Sequence, residues 1–118
     1  MGVVFYLPNR PQARRVGGKP ISMTWNSAGH FFEWLGYSER LDTPEGMPIG
    51  ELPVEKLLSL LREKKLALEE PDFITRALEI AIERKLGAPA GYLAGRVEEF
   101  LTLAERAERA GIPAILFG

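Results

Sequence analysis

The best case for chemistry in this chain lies in one short stretch, where Ser22, Thr24, Asn26 and His30 follow one another at alternate or helical spacing. An extended segment running directly into a helix sets Ser22 and Thr24 on one strand face. It sets Asn26 and His30 at the N-terminal end of the helix that follows. Such an end offers unpaired backbone N–H groups and a partial positive charge, a setting for a small anion. In that reading His30 acts as a general base or phosphate contact, and Asn26 orients the ligand. The plainer reading is that Asn26 or Ser27 caps the helix and His30 lies on its solvent face, since nearly every helix needs a cap.

His30 and Glu33 stand three apart, on one helical face, like half of a carboxylate-type metal site. Zinc asks for about three protein ligands, and the chain holds one histidine and no cysteine. No metal and no cofactor is expected. The absence of cysteine also excludes disulfides and thiolate nucleophiles. Gly17-Gly18-Lys19 lacks the spacing of a phosphate-binding loop and precedes a strand rather than a helix.

Two further clusters invite binding rather than catalysis. The first twenty residues contain no acid but include Arg10, Arg14, Arg15 and Lys19, a basic loop at 10–19 on an otherwise acidic body. These cations suit phosphate or an acidic partner. The overall charge of −1 and the lack of a helix-turn-helix or RNP pattern leave nucleic-acid binding as a weak, salt-sensitive reading. Between Trp25 and Tyr37 the chain also packs Phe31, Phe32 and Trp34. Phe31 and Phe32 fall on a core stripe, whereas Trp25, Trp34 and Tyr37 are candidates for an interface or a pocket rim.

The elements that must position these residues follow from periodicity. Residues 2–7 are β-branched and aromatic and read as a strand buried on both faces or nearly so, stopped by Pro8-Asn9. Residues 21–25 alternate, with Ile21, Met23 and Trp25 on one face, and should pair antiparallel with the first strand. A helix over 27–35 carries the stripe Ala28, Phe31, Phe32, Leu35 and stops at Gly36. Residues 37–52, with Pro44, Gly46, Pro48 and Gly50, read as a loop.

Three more helices are expected, over 53–66, 72–86 and 90–110. Val54, Leu57, Leu58 and Leu61 stripe the first; Ile74, Ala77, Leu78, Ala81 and Ile82 give the second its apolar face; Leu93, Val97, Phe100, Leu101, Ala104 and Ala107 stripe the third. Charged residues between the stripes, including Lys64, Glu79, Glu83, Glu98 and Arg109, read as solvated faces. Residues 112–117 read as a last strand beside the first. The expectation is a single α+β domain over 1–118: a small, mainly antiparallel sheet covered on one face by about four helices.

No apolar run approaches the ~20 residues that span a bilayer, and the start lacks the order of a signal peptide, so no membrane association and a cytoplasmic location are expected. Nine prolines, few amides and abundant Glu and Arg fit a thermophile. With no convincing catalytic set, the sequence points first to a non-enzymatic binding or interaction module, a homodimer or the binder of another protein. An anion binder or enzyme built on Ser22, Thr24, Asn26 and His30 stands second. Nucleic-acid binding by the basic loop stands third.

Overall fold

The computed structural model describes residues 2–9, 11, 18–37, 41 and 49–118. Among these residues four strands, β1 (Gly2–Tyr6), β2 (Ile21–Thr24), β3 (Gly50–Pro53) and β4 (Ala114–Phe117), and four helices, α1 (Trp25–Leu35), α2 (Val54–Glu69), α3 (Phe73–Lys85) and α4 (Tyr92–Arg109), make an α+β fold. The sheet has the order β2-β1-β4-β3 and every pairing is antiparallel. β1 pairs with β2 and β4 lies beside β1, as the spacing predicts.

β1 alternates instead of being buried on both faces. Val3 and Phe5 are buried, while Val4 and Tyr6 are only half covered. The register puts Val3 opposite Met23 and Phe5 opposite Ile21 and Phe117, all on the covered face. On the other face Ser22, Thr24 and Glu51 are exposed, and no helix among the described residues buries them. Helices thus cover one side of the sheet.

β3 is the element that the sequence reading misses, having assigned 37–52 to a loop and Pro53 to the start of a helix. Gly-Glu-Leu-Pro has little strand propensity, and its pairing with β4 supplies what local preference does not. It lies at a sheet edge, where the missing N–H of Pro53 is tolerated. Of the remaining loop, 38–40 and 42–48 lie outside the described residues.

Gly50 is required sterically. It is buried opposite Phe117, and a Cβ at this position would run into the Phe117 ring. The glycine lets the aromatic ring cover the backbone of the edge strand.

Thr24, not Asn26 or Ser27, caps α1: its Oγ1 accepts from the Ser27 N–H at 3.0 Å. The helix therefore begins at Trp25, directly against the strand. Its end is a Schellman stop, with Gly36 at φ 97°, Gly36 N–H donating to Glu33 and Tyr37 N–H to Phe32. Ala28, Phe31, Phe32 and Leu35 are buried as the stripe predicts.

The core is an aromatic cluster bridging the layers. Phe5 of β1 lies 5.5 Å from Phe32 of α1, 5.0 Å from Phe100 of α4 and 5.8 Å from Phe117 of β4, centroid to centroid. α2 packs along α4 with Leu57, Leu58 and Leu61 inside, and the ion pairs Arg62–Glu108 and Lys65–Glu98 lie along the exposed seam. Those pairs are solvent-exposed and contribute little each.

α3 is built the other way round. Its apolar face points outward, and none of its side chains is among the buried hydrophobic core; only Ile82 packs partly against it. Its buried residues are Glu79 and Glu83, which corrects the expectation that both are solvated.

Replacement of Gly50 by alanine is expected to cost about 1–3 kcal/mol through forced displacement of Phe117. Urea unfolding of the variant checks it, with a lower midpoint and an unchanged slope as the expected result.

Candidate functional site

The inverted helix has a local cause at the start of α4. Gly91 is the N-cap of α4 and has no side chain with which to satisfy the first-turn N–H groups. Glu83 supplies the missing acceptor: its Oε2 receives the Leu93 N–H at 3.1 Å in a buried setting. A carboxylate at this end is also favoured by the helix dipole. Four residues earlier on the same face, Glu79 accepts from Arg76 Nη1 through Oε1 at 3.3 Å, whereas its Oε2 is buried with no hydrogen-bond partner among the described residues. Asp72 caps α3 itself, Oδ1 taking the Thr75 N–H at 2.7 Å, and that hydrogen bond holds its carboxyl below the ordinary value.

With the carboxylates turned inward, α3 shows solvent its apolar side. Phe73 is 87% exposed, Ile74 70%, Leu78 54% and Ile80 38%, with Ala77 and Ala81 exposed between them. Leu66, near the end of α2 and 69% exposed, adds to the apolar surface. Single exposed leucines are ordinary, but this is most of one helical face. A shallow groove runs along it, lined by Phe73, Arg76, Ala77, Ile80, Ala81 and Arg84.

On the opposite flank α3 walls a cleft of about 440 Å³ with α1 and α2, lined by His30, Glu33, Trp34, Lys64, Thr75, Leu78, Ile82 and Lys85. The Lys64 ammonium sits 4.4 Å over the Trp34 ring, and burial pushes its pKa down, partly offset by the neighbouring Glu63 carboxylate. Neither His30, Lys64 nor Lys85 forms an ion pair among the described residues.

The predicted site residues separate accordingly. Ser22 and Asn26 are exposed, and Thr24, also exposed, spends its hydroxyl on the α1 cap and on Ser27. None of the three lines the cleft into which α1 places His30. His30 and Glu33 do share that cleft, and among the described residues no three His, Asp or Glu side chains are grouped to hold a metal ion.

Of the aromatic candidates, Tyr37 is only 7% exposed, its ring against Phe32 at 5.8 Å as the apolar arm of the α1 stop. Trp25 and Trp34 are half-buried, Trp25 meeting Phe117 edge-on and Trp34 lying beneath Lys64. Lys19 is exposed and lines a separate cleft with Glu99, Thr102 and Arg106 of α4. Arg10, Arg14 and Arg15 lie outside the described residues.

Sequence reasoning missed the α3 face as a surface. The signal was present as a glycine N-cap at position 91 with an acid eight residues before it, which gives α4 a cap only if α3 turns its polar side inward.

No family model matches the chain, and neither a curated protein nor a solved structure is significantly similar to it. No helix among the described residues is long and apolar enough to cross a membrane. The chain has a small α+β fold in which α3 exposes an apolar face among the described residues.

Exchange of Glu83 for methionine is expected to cost about 1–2 kcal/mol by uncapping α4. The same exchange at Glu79, whose carboxylate is only half satisfied, should be near neutral. Parallel denaturant titrations of the two variants check the contrast.

Proposed function

We propose that this protein is a non-enzymatic interaction module that self-associates through the outward face of α3. The observation that carries the reading is the inversion of α3: an amphipathic helix with its apolar side in water and its carboxylates buried. Burial of that side against protein removes exposed Phe73, Ile74, Leu78 and Ile80 from water at a gain of about 25 cal/mol per Å². A second copy is the occupant best matched by charge. Glu69 and Glu70, which end α2, and Asp72, which caps α3, precede the helix, Arg84 and Lys85 end it, and Arg76 is paired with Glu79, so opposite charges lie toward opposite ends of the surface. The half-buried Trp34 of α1 lines the cleft beside α3 and forms a secondary rim in this reading.

A second reading is supported by the cleft beside α3. Two lysines and His30 meet Trp34, Leu78 and Ile82 there, with Glu33 as the single lining acid. That lining suits a small organic anion with an apolar body. A Trp25→Phe variant leaves Trp34 as the sole tryptophan. Titration with phenyl phosphate should then change its fluorescence, and Lys64→Gln should weaken binding by about tenfold. An unchanged signal up to ~10 mM removes this reading.

Light scattering on a sizing column tests the main proposal. The wild-type chain is expected to run at twice its own mass at ~100 μM, and Ile74→Asp/Leu78→Asp at the monomer mass with an unchanged circular dichroism spectrum. A wild-type chain that stays monomeric at that concentration overturns it.

A further inference from the structure

The proposed self-association leaves open how two copies of α3 meet, and the composition of the helix along its length decides it. We propose that the two α3 helices pair antiparallel, about a two-fold axis through the Ala77–Ala81 patch. This inference rests on the self-association proposed above and specifies its geometry.

The centre of the outward face is its lowest point. Ala77 and Ala81 are both exposed and stand one turn apart, so two backbones can approach closely there, while Phe73 and Ile74 rise toward one end. A two-fold axis at this patch sets the high end of each helix beyond the low centre of the other. Phe73 of one copy then lies against the Ile80–Arg84 end of the partner's groove, the groove that Phe73 and Arg84 bound from opposite ends. Large residues fill space left by small ones, which is the requirement for packed helices.

Charge selects the same direction. Antiparallel pairing turns Arg84 and Lys85 of each copy toward the Asp72 cap of the other and the Glu69-Glu70 segment that precedes it, at both ends of the contact. Parallel pairing stacks acids on acids at one end and bases on bases at the other, a repulsive arrangement that works against that alternative. The helix dipoles also oppose one another in the antiparallel pair. Because the two-fold contact uses the same patch twice, it closes at two copies and does not propagate into fibres. A helix of 13 residues is about 20 Å long, so the contact is small and the dimer should dissociate on dilution.

The chain has no cysteine, so introduced thiols are the only ones present. Phe73→Cys and Arg84→Cys chains, one of them carrying a mass tag, are kept reduced and then oxidised both singly and as an equimolar mixture combined before the oxidant is added, with light scattering of each sample before oxidation. The expected result is a disulfide between Phe73→Cys and Arg84→Cys in the mixture, at least about tenfold above either homodimer. Self-linking of Phe73→Cys as the main product overturns the antiparallel arrangement and leaves self-association standing. A dimer by scattering without any of these disulfides places the contact elsewhere and overturns both the geometry and the α3 surface. A wild-type monomer removes the self-association on which the geometry rests.

Discussion

The packing of Phe5, Phe32 and Phe100 is the contact on which the other elements depend. These rings come from β1, α1 and α4, within 5.0–5.5 Å of one another, so one cluster fixes the sheet, the first helix and the last. Phe117 extends it toward β4, and Phe31, fully buried, stacks on Phe100 beside Phe32. α2 then closes the layer by laying Leu57, Leu58 and Leu61 into the remaining space. α3 adds no buried hydrophobic side chain to this core; only its Ile82 packs partly against it.

α3 is tied to α4 by a polar contact, the Glu83 carboxylate on the first turn of α4, and the Asp72 cap holds its own start. Burying carboxylates is costly unless each finds partners, and one oxygen of Glu79 finds none among the described residues. An arrangement that buries an incompletely satisfied acid and exposes phenylalanine and isoleucine lowers its free energy when protein covers the apolar side. The functional proposal grows from this imbalance. The cleft beside the helix shares Leu78 with the same apolar surface.

Much of the architecture was legible because it rests on local rules. The alternation at Ile21–Thr24, the stripe Ala28, Phe31, Phe32, Leu35 and the Gly36 stop each appear in the sequence in the form the structure gives them. β3 was hidden because Gly50–Pro53 is defined by its partner: β4 provides the ladder and Phe117 covers Gly50. The facing of α3 was hidden for a related reason. Periodicity shows which residues of a helix share a side, but whether that side meets the core depends on the space other elements have already filled. Tyr37 shows the same limit on a small scale, since the stop after Gly36 turns a plausible interface aromatic inward. Ser22 and Thr24 did share a strand face as read. The turn into α1 then spent Thr24 on capping and carried His30 to a different cleft.

The most direct test of the account is amide hydrogen exchange of the wild-type chain, followed by mass spectrometry at several protein concentrations. Self-association through the outward face of α3 predicts that peptides covering residues 73–85 exchange more slowly as concentration rises, while those of the aromatic core do not change. Exchange in α3 that is fast and the same at every concentration would contradict it.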